Sequence, residues 1–307
     1  METYDVIIVG GGPAGLAGAL TLARARRSVL VIDNGTPRNA AAGHVHNYLT
    51  RDGTPPAELL AIGRAEVAGY GGEFVMGTAT AAKPSDAGFT VTLDDGRVLG
   101  ARRLLVTTGL TDELPDIPGL AGRLGNDVLH CPYCHGWEVR DQAIGIIATN
   151  PMVAQQALLW RQWTEDLVVI LNGQPAPGPE EAAQLAARGV RLVDDRVTRL
   201  DPDRTAHLAG GTTVTRDVWV AATRMVARDD LLADLGAEIE PVKMGDHVIG
   251  TAVKADPNGA TTVPGVWVAG NISDLRAQVI VSAAEGLTAG AMINADLAME
   301  DARLATG

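Results

Sequence analysis

The sequence predicts an α/β protein. A short apolar strand, Asp5 to Val9 (DVIIV), runs into a glycine-rich turn, a segment with helical spacing, and a second apolar strand that ends in an acid. Another strand–helix–strand run begins at Ala143, and two further buried strands end in Thr108-Gly109 and Gly270-Asn271. The chain has 307 residues, against a norm of roughly 100–200 per domain, so it is long enough for two domains with proper cores, the first of them a Rossmann-like nucleotide-binding unit.

The first turn reads GGGPAG. Gly10, Gly12 and Gly15 fit G-x-G-x-x-G, with Pro13 and Ala14 between the last two. The first glycine allows a tight turn and the second lets backbone approach a pyrophosphate at the helix N-terminus. The third lets helix and strand pack closely. Asp33 closes the strand SVLVI and is placed to accept hydrogen bonds from an adenosine ribose. A lone G-x-G-x-x-G is a weak signal, but here strand, turn, helix, strand and acid arrive in order, which makes a dinucleotide site.

Later segments continue the pattern. RLLVTTGLTDELPDIPG (Arg103 to Gly119) is a buried strand followed by a crossing punctuated by prolines. TTVPGVWVAGNISD (Thr261 to Asp274) is a strand running into a turn. Ala277 to Leu297 then reads as a helix with small residues where backbones come close.

Formal net charge is −12, and the only lysines are Lys83, Lys243 and Lys254. With no basic stripe, a nucleic-acid partner is not expected. Hydrophobic residues make up 46% of the chain but are dispersed, so no membrane span is expected. METYDVIIVGGG enters a strand directly and lacks the pattern of a secretory signal, which leads to a cytoplasmic expectation. In that compartment a cysteine pair is catalytic or metal-binding more often than structural.

Both cysteines lie in DVLHCPYCHGWEVRD, where Cys131 to His135 spell C-x-x-C-H. That pattern suits c-type haem attachment, a zinc site or a redox dithiol. Haem attachment needs an exported apoprotein. Structural zinc takes four ligands, so His130, His135 or the His44/His46 pair would have to complete it; no metal site is expected. A redox dithiol needs only the two sulfurs, and C-x-x-C spacing commonly lowers one thiol's pKa. The dithiol reading is preferred.

Together, GGGPAG, Thr108-Gly109, Gly270-Asn271 and CPYC resemble the low-molecular-weight thioredoxin reductase family of flavoproteins, over nearly the whole chain. The resemblance implies two Rossmann-like nucleotide-binding domains: an FAD domain built from residues 1–113 and 240–307, and a smaller NADPH-type domain, 114–239, inserted into it and carrying the dithiol. It implies that Gly10, Gly12, Gly15 and Asp33 hold the ADP half of FAD. It matches Arg38, Asn47, Thr108, Gly109, Gly270, Asn271, Gln278 and Val279 to flavin- and ribityl-side positions. The family usually has Gly-Asp where this chain has Gly270-Asn271, and an amide can still bond a ribityl hydroxyl. By the same resemblance Cys134 exchanges electrons with the flavin, Cys131 meets the substrate sulfur, and the protein is a homodimer.

Where the family commonly has an aspartic acid after the second cysteine, this chain has His135. An unperturbed histidine pKa of roughly 6.5 suits it to accept thiol protons. His130 is the neighbouring alternative for that role.

The inserted domain should carry a second glycine turn for NADPH, but Ala148, Asn150 and Val153 stand at its three positions. A β-carbon at 150 keeps backbone away from a pyrophosphate, and Leu171-Asn172-Gly173 ends the next strand with no acid for a ribose. With NADPH binding in question, the dithiol becomes the electron source and O2 the acceptor, giving H2O2. That combination resembles the gliotoxin- and holomycin-type dithiol oxidases, which close a disulfide in a small sulfur-containing metabolite. Two other readings remain. One is a thioredoxin reductase fed by NADPH or ferredoxin, which needs a protein docking face and domain rotation. The other is a flavin-binding redox sensor.

Overall fold

A computed structural model describes residues 2–306. The first sheet has seven strands. Thr3–Val9 lies between Val29–Asp33 and Val98–Val106, parallel to both, and Glu73–Met76 extends the sheet beyond Val29–Asp33. Val6 to Val9 are buried, as expected of a strand covered on both faces, which explains the unbroken apolar run.

Strand Val98–Val106 changes partners along its length. Its first half pairs antiparallel with Gly88–Leu93, and its second half pairs parallel with Val266–Val268. The C-terminal part of the chain is thereby built into the N-terminal sheet. Helix Pro13–Arg24 packs on helix Val279–Leu304 at close range. A Cβ at Gly286 would overlap the Ala14 carbonyl oxygen, and one at Gly290 would come within 2.9 Å of the Gly18 oxygen. The small residues expected in this segment serve that approach.

The second sheet is wholly parallel, in the order Arg191–Val193, Leu167–Ile170, Ile144–Ile147, Val218–Ala221, Val128–Leu129. Trp160 and Trp219 are fully buried in the cores on either side of it. The helix expected over Pro151 to Trp163 is shorter, Val153–Trp160. Asn150 Oδ1 accepts from the Met152 amide at 2.9 Å and makes an Asx turn that delays the first helical residue.

A third sheet joins the two units. Leu110–Glu113 pairs antiparallel with Arg224–Ala227, which pairs with His247–Val253, and that strand pairs with Ile239–Met244. The resemblance implies a return from the inserted domain at residue 240; Ala227, Leu231 and Leu232 lie in the core of the first sheet, with Val253 and Ile272. The return strand is pinned to Leu110–Glu113 as soon as it leaves the second sheet. Among the described residues, no helix is long and apolar enough to cross a membrane.

Gly286→Ala tests the helix contact. It should lower the thermal midpoint by an amount equivalent to about 1–3 kcal/mol, the usual range for overpacking. Gly69→Ala, whose added methyl meets nothing within 4 Å, should leave the midpoint unchanged or raise it.

Candidate functional site

The first strand delivers Gly10 in a conformation with φ +107, against Thr107 of the neighbouring strand. A β-carbon at Gly10 would press on the Thr107 carbonyl, and one at Gly15 would overlap the Gly10 oxygen. Gly12 is the N-cap of helix Pro13–Arg24 and uses no side-chain cap, and a β-carbon there would meet nothing within 4 Å. The start of that helix, Gly12 to Ala14, lines open space, as anion binding at a helix N-terminus requires.

These residues begin a cavity of about 440 Å³. Gly10, Gly12, Pro13, Ala14 and Asp33 form one end of its wall. Asp33 has a half-buried carboxylate whose nearest cation, Arg64, is 3.9 Å away, so its oxygens remain open to a hydroxyl. Gly15 packs behind the wall and does not line it.

The middle of the cavity is lined by Arg38, Thr108, Gly109, Gly270 and Asn271. Gln278 and Val279 line it where helix Val279–Leu304 starts, again with no side-chain cap. The Thr108 hydroxyl donates to the Arg228 carbonyl at 2.7 Å. The Gly270 amide donates to Glu285 at 2.7 Å, and burial pushes the Glu285 carboxyl up.

Arg38 is committed to protein partners. Its Nε and Nη2 donate to the two oxygens of Asp112, each at 2.7 Å, and its Nη1 donates to Asn271 Oδ1 at 3.1 Å. Asp112 also accepts from the Thr223 hydroxyl at 2.6 Å. Burial pushes the Asp112 carboxyl up, but Arg38 and Thr223 outweigh it and hold the group below the usual carboxylate range. Asn271 Nδ2 donates to the carbonyls of Asp274 and Ala277, both at 2.9 Å, which an aspartate at this position could not do.

The far end of the cavity is lined by Cys134, His130, His135, His44 and His46. Cys131 and Cys134 are joined in a disulfide across the short helix Pro132–His135. Cys134 is on the cavity wall, whereas Cys131 is the N-cap behind it. Burial, then the Arg38 charge, pushes His130 down to about 4, so it is neutral near pH 7. Burial also lowers His135; Glu138 opposes this shift and His46 adds to it.

Asn47 is placed apart from the expected flavin-side set. It does not line the cavity; its Nδ2 donates to the Tyr133 carbonyl, inside the C-x-x-C turn, at 2.7 Å. Asp112 was not legible as a site residue, because its partner Arg38 is 74 positions away. His44 and His46, which the sequence offers as possible zinc ligands, stand at alternate positions of one loop, and that spacing is the signal that both face the cavity. Among the described residues, no cluster of three His, Cys, Asp or Glu side chains is arranged to hold a metal ion.

At the second glycine-turn position, Asn172 Nδ2 donates to the Ala148 carbonyl at 3.2 Å, and its Oδ1 accepts from Val197 N at 3.0 Å. The Arg196 guanidinium lies about 3 Å from where a Gly173 β-carbon would be. The ends of these strands are thus tied by the chain's own side chains.

A dinucleotide cavity with a redox disulfide in its wall defines a nucleotide-dependent disulfide oxidoreductase. The chain belongs to the pyridine nucleotide-disulphide oxidoreductase family, whose model matches residues 4–286. It is 30% identical to thioredoxin reductase tcpT of Claviceps purpurea, over 95% of this chain and 94% of that protein. It is 27% identical to thioredoxin reductase sirT of Leptosphaeria maculans, over 95% and 93%. Among solved structures, an oxidoreductase from Agrobacterium tumefaciens superposes with TM-score 0.91 at 36% identity, covering 97% of this chain and 99% of that one. HlmI superposes with TM-score 0.89 at 43% identity, covering 98% and 95%. The cofactor is FAD. The residues present fit it: two uncapped helix starts open on one cavity, and the Asp33 carboxylate, with Arg64 no nearer than 3.9 Å, lines the same wall.

Asp33→Ala should weaken FAD binding by about 1.5–3 kcal/mol, the worth of hydrogen bonds to a charged group. Titrating FAD into deflavinated protein and following its visible absorbance checks this without any turnover.

Proposed function

We propose that the protein oxidises a small-molecule dithiol to an intramolecular disulfide, with O2 as final acceptor and H2O2 as product. The observation that carries this reading is the pairing of a disulfide at the FAD cavity with a second nucleotide turn that has Ala148, Asn150 and Val153 where the glycines would stand, and whose strand ends Asn172 ties together. The substrate class is drawn from the likeness to gliotoxin- and holomycin-type oxidases. Residues 1–113 and 240–307 are proposed as the FAD domain and 114–239 as the insert, with 224–239 packed on the FAD side.

In this mechanism a substrate thiolate attacks Cys131, forming a mixed disulfide and releasing Cys134 as a thiolate on the cavity wall. The second substrate thiol gives its proton to His135 and attacks the first sulfur, which frees Cys131 and closes the product disulfide. Re-forming Cys131–Cys134 requires a two-electron acceptor, the chemistry that FAD supplies when bound. The site balances as dithiol plus O2 giving disulfide plus H2O2.

His135 suits the base role better than His130. Both are held neutral, as a base must be, but His130 is pushed to about 4 beside the Arg38 cation and is a weak acceptor. His135 has Glu138 beside it, and that carboxylate favours its protonation.

The test is anaerobic. Excess small dithiol should bleach the flavin of the wild-type protein, air should restore the colour with peroxide formed, and NADPH should leave the colour unchanged. Rapid bleaching by NADPH would instead establish a reductase. Cys134→Ser should keep FAD bound but lose bleaching by dithiol; bleaching at the wild-type rate would reject the assigned roles.

A second outcome concerns pH. Because burial lowers the His135 pKa, the imidazole stays available as a base below pH 6.5 and is lost only as pH falls through its depressed value. The acid limb of kcat/KM should therefore lie below about 6.5 and be absent in His135→Ala, with the rate reduced by roughly 10²-fold or more. A profile unchanged in the variant would count against the base role.

A further inference from the structure

Residues 44–54 form a strap between strand Val29–Asp33 and helix Pro56–Gly69. Its base is closed by an antiparallel bridge: Val45 N donates to the Thr54 carbonyl and Gly53 N to the Val45 carbonyl, both at 2.8 Å. Inside it, Asn47 N donates to Asp52 Oδ1 at 2.8 Å. The backbone is strained: Asn47 has φ +61 and the β-branched Thr50 has φ +75. Such a backbone is costly for a β-branched residue and persists only where the surroundings fix it.

Burial does not fix the tip, since Leu49 is 80% exposed. The strap instead grips the redox loop of the second unit at two points. Asn47 Nδ2 donates to the Tyr133 carbonyl at 2.7 Å, between the two cysteines. His46 Nε2 lies 3.4 Å from Glu138 Oε1, with its Nδ1 3.4 Å from Asp52 on the strap itself. The strap leaves strand Val29–Asp33 of the first sheet and leads into helix Pro56–Gly69, so both contacts cross from one unit to the other.

We propose that Asn47 is a positioning residue: through the Tyr133 carbonyl, the strap clamps the Cys131–Cys134 loop at the FAD cavity so that the disulfide works in place. This rests on the dithiol reading above and deepens it. A thioredoxin-type partner would need the redox loop to swing away from the first unit, whereas a small dithiol needs it held still. The substrate that fits a clamped loop is therefore a small molecule diffusing to Cys131.

Two variants separate the hydrogen bond from the strain. Asn47→Asp keeps the shape and tolerates the left-handed backbone but cannot donate; Asn47→Gly removes the strain and the donor together. In FAD-loaded protein both should slow anaerobic flavin bleaching at saturating dithiol by on the order of tenfold, within the range for misplaced reacting groups. The dithiol concentration giving half the maximal rate should stay within about twofold, as expected for an interaction felt in the reaction and not in binding. Both variants should also speed amide hydrogen exchange across 131–138, a readout that does not depend on the substrate. Wild-type exchange in both variants would overturn the clamp whatever the substrate is. Faster exchange with wild-type bleaching would overturn the positioning role. Faster exchange in the variants of a protein whose flavin no dithiol bleaches would leave the clamp and overturn the small-dithiol reading together with the positioning role.

Discussion

The ion pair between Arg38 and Asp112 is the constraint on which the site's architecture depends. Arg38 follows the strand that ends in Asp33, while Asp112 belongs to the crossing strand Leu110–Glu113. Thr223 precedes the returning strand, and Asn271 stands before the C-terminal helix. One guanidinium and one carboxylate thus fasten four segments that are remote in sequence. The fork geometry matters, because two parallel bonds fix orientation as well as distance. A partly buried pair adds little net stability, because desolvation offsets much of the attraction, yet losing one partner would leave the other without its charge partner. Its contribution is geometric: it sets where the two units meet.

The same pair sets the charge of the cavity. Arg38 opposes protonation of His130, whereas Asp112 favours it, and burial together with Arg38 prevails. His130 consequently stays a neutral wall. Glu138 stands beside His135 and pulls in the opposite direction from burial, leaving one of the two adjacent histidines better able to accept a proton. Two residues of one type, five positions apart, are given different proton affinities by what packs against them.

What was legible in the sequence was local. Strand, GGGPAG, helix and Asp33 lie within one β-α-β unit, so their spacing alone fixes how they meet, and the structure puts Gly10, Gly12 and Asp33 on one wall. The C-x-x-C turn was legible for the same reason. The partners of Arg38 were not, since Asp112 and Thr223 look like ordinary loop and strand residues until the crossing sheet forms. Asn47 was assigned by resemblance to the flavin side; the left-handed turn of the strap, invisible in composition, aims its amide at Tyr133. The pairing of Leu110–Glu113 with Arg224–Ala227 is likewise illegible, because register between distant strands leaves no mark on either alone.

The second unit has kept its fold without its glycine turn, and the packing explains how. Its core is closed by its own residues: Gly145 sits under the Trp219 ring, and Trp160, at the end of helix Val153–Trp160, is wholly buried. No ligand is needed to complete that core. Beyond it, Trp163 forms a platform for the redox loop, with Tyr133 edge-on at 5.9 Å and Gly136 so close that a β-carbon would come within 2.8 Å of the indole. Replacing the glycines of a nucleotide turn leaves this platform untouched, because the turn lies at the strand ends and the platform at the helix end. The glycine-turn position and the disulfide mount are therefore physically separable, and the second unit supports the redox loop whatever stands at its strand ends.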